Sequence, residues 1–167
     1  TGGRGNDRYF IDDPGDRAIE LANGGGDLVV LRGLDRYRMA EHIEQLRVAN
    51  SGPTHVTGNA ENNLVIGGIG HDTIFGGAGH DRLNGNNGND VLVGGDGRDI
   101  LVGGAGDDIM TGGNLTVAAR RGGPVWSDTF VFDGICGNDT ITDFEPGVDS
   151  IRIRGMSSLG EIQAVSQ

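Results

Sequence analysis

The sequence has little of the material from which an ordinary globular core is built. Hydrophobic residues make up 35% of its 167 residues and aromatic residues only 5%. No apolar run approaches the ~20 residues that a membrane-spanning helix needs. These shortages disfavour a conventional two-layer domain, and they favour a chain in which each part packs only on its neighbours.

Cysteine and basic residues are also scarce. The single cysteine, Cys136, cannot form a disulfide within the chain, so stability outside the cell would need another cross-link such as a metal ion. Thirteen basic residues against 24 acidic residues give a net charge of -11, which makes nucleic acid a poor partner and a cation a better one. The chain has no signal peptide and begins with Thr1 rather than methionine, so we expect it to be part of a longer polypeptide.

Glycine, in contrast, is abundant and periodic. It accounts for 33 residues, about three times the usual share, and it recurs with aspartate at a fixed interval. Residues 67–111 divide into five consecutive nonapeptides, GGIGHDTIF, GGAGHDRLN, GNNGNDVLV, GGDGRDILV and GGAGDDIMT. Every copy has glycine at positions one and four, aspartate at position six and an apolar residue at position eight. The aspartates are Asp72, Asp81, Asp90, Asp99 and Asp108, and the apolar residues are Ile74, Leu83, Leu92, Leu101 and Met110.

Each nonapeptide is predicted to be a turn followed by a short strand. Glycine reaches positive φ at little cost and lets backbones approach closely, so positions one to six form the turn. Positions seven to nine place one apolar side chain inward, and copies stacked at ~4.8 Å form a ladder. Two nonapeptides complete one winding, so residues 18 positions apart stack, and Asp90 lies between Asp72 and Asp108. On the opposite side of the winding, Asp81 is predicted to lie against Asp99.

Rows of stacked carboxylates repel one another unless a cation lies between them. Calcium is a hard cation that takes roughly six to eight oxygen ligands, which aspartates and the carbonyl groups of open glycine turns supply. The alternative is that the aspartates only cap turns, but capping does not require a nine-residue period. The predicted metal ligands of the repeats are the five aspartates together with Gly68, Gly70, Gly77, Gly79, Asn86, Gly88, Gly95, Gly97, Gly104 and Gly106.

The repeat GGxGxDxUx resembles that of RTX proteins, whose repeats form a calcium-binding parallel β-helix. The resemblance implies an all-β fold, a right-handed parallel β-roll with a C-terminal β capping segment, and several bound Ca²⁺ ions. It also implies a secreted protein that is exported by type I secretion machinery. The roll would fold on binding calcium outside the cell and support the secretion, folding and stability of the remainder of the parent polypeptide. Two alternatives stay open: a structural spacer of an adhesin or surface protein, and an accessory binding module of an attached polysaccharide-active or proteolytic enzyme.

The repeat pattern extends upstream of the perfect copies. Residues 58–66, GNAENNLVI, keep the period with Asn63 at the aspartate position, so we take 58–111 as the nonapeptide roll and Asn63 as a candidate ligand. Residues 1–33 resemble a longer variant repeat of the same family. Their Asp7 and Asp27 are candidate calcium ligands that would face each other across one winding.

Residues 34–57 connect the two blocks. Met39, Ile43 and Leu46 have helical spacing, whereas the similarity of the segment to a family linker that ends in a short strand favours irregular β structure, and both alternatives stay open. His42 and Glu44 form an HxE there, but the PCxxC partner of a zinc deaminase is missing, so a solvated charged surface is the preferred interpretation. No HExxH, GxSxG, P-loop or EF-hand spacing occurs in the chain. The sequence therefore predicts no enzyme, although the parent protein could be one.

Downstream, residues 112–126 break the period and are predicted to form a loop. Residues 127–167 then resemble the C-terminal flank of such repeats in secreted metalloproteases, and we expect this flank to be cut short. Asp139 occupies position six of one more imperfect nonapeptide and is a candidate ligand. Three other aspartates either bind calcium or only cap turns: Asp128, Asp143 and Asp149. The flank is predicted to cover the end of the apolar column with Phe130, Phe132, Phe144, Ile151 and Ile153.

Overall fold

A computed structural model of the chain describes residues 1–113, 126–134, 136–155 and 162–164. Over these residues the chain forms strands joined by turns, and none of them belongs to a helix that could span a membrane. The strands are β1 (Arg8–Ile11), β2 (Leu28–Leu31), β3 (Arg36–Arg38), β4 (Gln45–Val48), β5 (His55–Thr57), β6 (Leu64–Ile66), β7 (Thr73–Ala78), β8 (Arg82–Asn87), β9 (Val91–Asp96), β10 (Ile100–Ala105), β11 (Ile109–Gly113), β12 (Thr129–Asp133), β13 (Asp139–Ile141), β14 (Ser150–Arg154) and β15 (Ile162–Ala164).

Two parallel sheets face each other along a solenoid of about seven turns. The first sheet has eight strands in the order β1-β2-β4-β6-β8-β10-β12-β14, and the second has seven in the order β3-β5-β7-β9-β11-β13-β15. From β2 onward, successive strands therefore alternate between the sheets. This arrangement confirms the predicted all-β parallel roll.

The strand register repeats every 18 residues in the nonapeptide region. Thr73 pairs with Val91 in the second sheet, and Val91 pairs in turn with Ile109. The predicted strand length was wrong, because β7 to β10 each span six residues and continue into positions one to three of the next repeat. The sheet extends that far because the glycines at these positions let adjacent windings hydrogen-bond closely, as Gly77 and Gly95 do.

Gly95 shows why glycine is required in these segments. Its φ is 116°, and a Cβ atom added there would collide with the carbonyl oxygen of Gly77 on the preceding winding. Both features exclude an ordinary side chain, because positive φ is strained for L-residues and the space is filled by backbone. The spacing between windings therefore depends on glycine.

The core is a column of apolar side chains between the two sheets. All five position-eight residues, from Ile74 to Met110, are fully buried in it, as predicted. Upstream, the column continues through Val29, Leu46 and Val65. Each winding contributes only a few large side chains, so the hydrophobic core is thin for the length of chain that it orders.

Strands outside the perfect repeats continue the same architecture. Residues 34–57 contain β3, β4 and β5, which join both sheets. Most of the predicted loop 112–126, and part of the flank 127–167, lie outside the described residues. The division of the chain into five segments stays a prediction.

The flank stacks on the last nonapeptides. Phe130 pairs in register with Leu101, and Ile141 with Met110, so buried side chains cover the column on both sides. The prediction that Ile151 and Ile153 help to cover it was wrong, since they are 38% and 52% exposed. Both lie on β14, which is the last described strand of its sheet and has no described neighbour above it.

Candidate metal sites

A row of buried carboxylates runs along the turns that lead into the second sheet. Asp72, Asp90 and Asp108 directly precede β7, β9 and β11. The backbone N–H of Asp72 donates to Oδ1 of Asp90 over 2.7 Å, and that of Asp90 donates to Oδ1 of Asp108 over 2.8 Å. Within the described residues the row extends to Asp139, whose Oδ1 accepts the N–H of Asp108 over 2.9 Å. This ladder confirms the predicted 18-residue stacking.

A second row of the same kind leads into the first sheet. The N–H of Asn63 donates to Oδ1 of Asp81, and the N–H of Asp81 to Oδ1 of Asp99, each over 2.8 Å. The row continues across the gap in the period, because the N–H of Asp99 donates to Oδ1 of Asp128 over 2.8 Å. The turns that lead into the first sheet therefore also carry a continuous row of buried carboxylates.

One oxygen of each carboxylate takes part in these ladders, and in most cases the other has no partner. A buried carboxylate oxygen without a donor is costly. Among the described residues, the one contact at salt-bridge distance joins Nδ1 of His42 to Oε1 of Glu61, at 2.8 Å. No arginine of the described part of the chain therefore forms an ion pair with either row. The buried oxygens without a hydrogen-bond partner in the two rows are Oδ2 of Asp81, Asp90, Asp99, Asp108 and Asp139. Hard oxygen atoms stacked between windings fit a calcium ion.

Burial raises the pKa of these carboxyl groups. The pKa rises to about 6 at Asp81 and Asp90, and to about 7 at Asp99 and Asp108, chiefly because burial removes water from the charged form. The neighbouring carboxylate adds to the rise, as Asp81 does at Asp99. Without a cation beside them, the carboxyl groups of both rows are therefore protonated more readily than exposed carboxyl groups are.

The glycine turns next to the rows differ between the first repeat and the later ones. In the first repeat, the N–H of Gly68 donates to Oδ2 of Asp72 over 2.7 Å, so both oxygens of that carboxylate have protein partners. In the later repeats the turn residues that we predicted as ligands have positive φ. These are Gly77, Gly79, Asn86, Gly88, Gly95, Gly97, Gly104 and Gly106. All of these residues, with Gly68 and Gly70, stay predicted ligands.

Side-chain amides replace carboxylates where the nonapeptide region begins. Asn59 donates through Nδ2 to the carbonyl oxygen of Ala40 over 2.7 Å, and Asn63 donates to Oδ1 of Asn59 over 2.9 Å. On the other side of the winding, Asn50 donates to the carbonyl oxygen of Leu34 over 2.6 Å. The amides of Asn50 and Asn59 thus join adjacent windings directly. Asn63, a predicted ligand, therefore acts here as a hydrogen-bond donor.

The aspartates of the flank serve two purposes. Asp143 accepts the N–H groups of Gly112 and Gly113, each over 2.9 Å, and thus caps the end of β11. Asp128 belongs to the second row, and burial raises its pKa to about 7. Asp149 continues that row, because its Oδ1 accepts the N–H of Asp128 over 3.0 Å, and its Oδ2 accepts the N–H of Glu145 over 2.9 Å.

A further ladder runs through position five of the repeats, which sequence reasoning missed. The N–H of Asn89 donates to Nδ1 of His71 over 2.7 Å, and the N–H of Asp107 donates to Oδ1 of Asn89 over 3.1 Å. On the opposite side, the N–H of Arg98 donates to Nδ1 of His80 over 2.8 Å. The residue type varies at position five. The sequence therefore gives only one sign of this ladder, which is that the residue at position five often has a side chain that can accept a hydrogen bond.

The first two windings bring three carboxylates together. Asp7, Glu20 and Asp27 each offer an oxygen atom, and these atoms lie within 4.8 Å of one another. The N–H of Asp7 donates to Oδ1 of Asp27 over 2.8 Å, which confirms that the two residues face each other. Glu44 accepts the N–H of Asp27 over 2.8 Å and so belongs to the ladder rather than to an HxE zinc motif. Sequence reasoning missed Glu20, because no period fixes its position.

Comparison with known families matches the nonapeptide part of the chain. Residues 48–83, 57–92 and 84–114 match a family model described as RTX calcium-binding nonapeptide repeat (4 copies). No curated protein and no solved structure matches the chain. The matched residues include the carboxylates from Asp72 to Asp108.

Proposed function

Residues 48–114 belong to the family of RTX calcium-binding nonapeptide repeats, and on this basis we propose that the chain is the calcium-dependent folding module of a larger secreted protein. RTX nonapeptide repeats bind Ca²⁺, so the chain is a calcium-binding module. The roll is a structural module and not a catalytic one, and any enzymatic activity would belong to the rest of the parent polypeptide.

The observation that carries this proposal is the set of buried carboxylate oxygens without partners. Calcium, when bound, supplies two positive charges and several coordination positions to oxygen atoms. The ligands that we propose in the repeats are the aspartates of both rows with the turn residues named above. At Asp90, Asp99 and Asp108 a backbone N–H group holds Oδ1, which leaves Oδ2 to the ion.

The cost of the metal-free roll follows from the same residues. Two rows of buried, unneutralised carboxylates must be desolvated while the apolar column stays thin, so folding without a cation is opposed. Extracellular calcium modules bind with Kd of roughly 10⁻⁴ to 10⁻³ M. At a tenfold excess of calcium over Kd each site adds about 1.4 kcal/mol, so about four sites add roughly 6 kcal/mol, the order of a domain's whole stability.

This dependence of stability on calcium is consistent with export of the chain in an unfolded state. Calcium is scarce in the cytosol and plentiful outside the cell, so the acidic chain would stay unfolded during type I secretion. It would then wind into a roll on arrival and support the folding and stability of the polypeptide attached to it. The proposed location is therefore extracellular, and the proposed partners are the type I secretion machinery and the rest of the parent protein.

Limited proteolysis at two calcium concentrations tests this proposal. In chelator we expect rapid cleavage throughout residues 48–113, because the windings do not form. In millimolar calcium the same residues should be protected, and equal millimolar magnesium should protect them poorly because it requires tight octahedral geometry. Equal protection in chelator and in calcium would contradict the proposal.

A further inference from the structure

We propose that Arg8, Arg32 and Arg47 form a binding surface for an acidic polysaccharide on the outer face of the first sheet. Arg8 belongs to β1, Arg47 belongs to β4, and Arg32 directly follows β2, whereas the buried carboxylate rows lie at the turns between strands. Charge is divided in the same way along the whole of this sheet. Its strands carry one acid, Asp133 at the end of β12, and otherwise arginines, which are Arg8, Arg47, Arg82, Arg152 and Arg154.

The three arginines lie beside a small apolar patch that Phe10 and Val30 form. The residues on either side of Phe10 and of Val30 pack in or against the apolar column, so these two side chains point outward. Strand register places Val30 between Phe10 and Arg47. Although Val30 points outward, it is only 3% exposed, and Phe10 and Arg47 are the side chains placed to cover it. The stem of Arg47 therefore rests on an apolar base, which orders its guanidinium group at the surface.

Phe10 also orders the other two guanidinium groups. The guanidinium carbon of Arg32 lies over the Phe10 ring at 4.5 Å from its centroid, and that of Arg8 lies at 5.3 Å. A guanidinium group that stacks on an aromatic ring gains cation–π energy, and its N–H groups stay available at the edge of its plane. Phe10 itself remains 49% exposed. The surface thus combines ordered N–H donors with an accessible apolar ring.

These guanidinium groups have no acidic partner within the described part of the chain. The contact at salt-bridge distance there joins His42 to Glu61, and the arginine that donates side-chain hydrogen bonds is Arg17, to carbonyl oxygens of its own turn. The nearby acids Asp27 and Glu44 accept backbone N–H groups at the turns. Like charges gathered on one face repel one another. Carboxylate or sulfate groups of a ligand would offset this repulsion, because a guanidinium fork binds two oxygens of such a group at once.

The shape of the surface favours a thin polymer. Strands of four residues make it roughly 13 Å wide. The exposed acids Asp12 and Asp13 follow β1 at one margin, and Asp27 and Glu44 precede β2 and β4 at the other. A membrane surface or a nucleic acid duplex is wider than this strip and would meet those carboxylates, which repel it. A single polysaccharide chain can lie between them, along the stacked strands.

The position of the arginines favours a polysaccharide over an acidic peptide. A peptide binds a sheet by adding a strand to a free edge, which here is the edge of β1, through backbone hydrogen bonds. Arg32 and Arg47 instead lie on or next to β2 and β4, which are paired on both sides. A ligand on these inner strands can use only side chains. Hydrogen bonds from the arginines and apolar contact with Phe10 suit a sugar ring that carries an acidic group.

Dextran sulfate tests the surface, with uncharged dextran of the same length as the control ligand. In the full chain at saturating calcium, we expect Arg32→Gln/Arg47→Gln to bind dextran sulfate at least about tenfold more weakly than the unmodified chain. Arg36→Gln/Arg38→Gln is the matched control, because it removes two exposed arginines from β3 in the second sheet and should bind nearly as the unmodified chain. Isothermal titration calorimetry measures the affinities. Equal losses in the two variants, or equal binding of both ligands, would overturn the proposal.

Arg32→Lys/Arg47→Lys supplies a second variant in case the glutamine variant folds poorly, since it keeps both charges and both long stems. It should reach the circular dichroism of the unmodified chain and still bind dextran sulfate more weakly, because an ammonium group lacks the planar fork of donors. Full affinity in this variant would contradict recognition by guanidinium groups. Polyglutamate that displaces dextran sulfate at equal charge concentration would also overturn the proposal, because the surface would then accept an acidic peptide. A roll that folds without calcium would carry the same surface, so these results do not depend on the proposed calcium function.

Discussion

The backbone N–H of Asp90 donates a hydrogen bond of 2.8 Å to Oδ1 of Asp108, 18 residues further along the chain. Asp90 in turn accepts the N–H of Asp72 through its own Oδ1, over 2.7 Å. Its Oδ2 is buried and has no hydrogen-bond partner. Asp90 thus bonds to the winding before it through its carboxylate and to the winding after it through its backbone N–H, and this relationship repeats along both sides of the roll.

Asp90→Asn should raise the calcium concentration needed for half-maximal folding. It removes the charge of a carboxylate that lies between two others, while the amide keeps its size. We expect an increase of at least about tenfold, since even residues that only support a metal ligand contribute that much. Asp96→Asn is the matched control, because Asp96 is exposed and carries the same charge. A calcium titration followed by circular dichroism measures both midpoints, and equal midpoints would mean that the ladder carboxylates do not bind the ion.

Gly95→Ala should destabilise the roll even in saturating calcium. The added methyl group would collide with the carbonyl oxygen of Gly77, and the φ of 116° is strained for alanine. We expect a loss of at least about 1–3 kcal/mol in the free energy of unfolding, measured by urea denaturation at fixed calcium. Gly52→Ala is the control, since an added Cβ atom there has nothing within 4 Å. Similar stabilities for the two variants would contradict the close stacking of windings.

Acidification should partly substitute for calcium. The pKa of Asp99 and Asp108 is about 7 in the folded roll, against an ordinary value of 3.8, so the folded state binds protons more tightly than the unfolded state does. This contribution to the stability of the metal-free roll is fully present below the ordinary pKa and is lost as the pH rises through about 7. The calcium-free chain should therefore gain β structure when the pH is lowered from neutral towards about 4.

The same groups should make calcium binding dependent on pH. Protons compete with calcium for the buried carboxylates, so the calcium affinity of the folded roll should fall as the pH falls through about 7 and about 6. Equilibrium dialysis at several pH values measures this affinity directly, because protonation itself favours the folded roll and would shift a folding midpoint the other way. An affinity that does not change across that range would show that these carboxyl groups are not protonated in competition with the ion.

The period of nine residues explains why much of the structure could be predicted. It places Leu92 and Leu101 at position eight of consecutive repeats. Both side chains are fully buried, and they lie on opposite sheets. It also places Asp90 and Asp108 one winding apart, where a ladder hydrogen bond joins them. A repeat predicts such relationships because each winding packs only on its neighbours. The position of a residue within its repeat therefore determines which residues of the adjacent windings it contacts.

The features that could not be predicted lie where no period applies. Glu20 belongs to the long connection between β1 and β2, and its approach to Asp27 depends on how that loop packs. The extension of the strands into the glycine pairs depends on backbone contact between windings, which residue propensity does not encode. The exposure of Ile151 follows from its place on the last described strand of its sheet rather than from its own apolar character.

At neutral pH we expect the roll to form only when a metal cation accompanies its buried carboxylates. Circular dichroism of the full chain, recorded in chelator and then in millimolar calcium, measures this, with magnesium at the same concentration for comparison. The spectrum should be largely disordered in chelator, β-rich in calcium and little changed in magnesium. A spectrum that is the same with and without calcium would contradict this expectation.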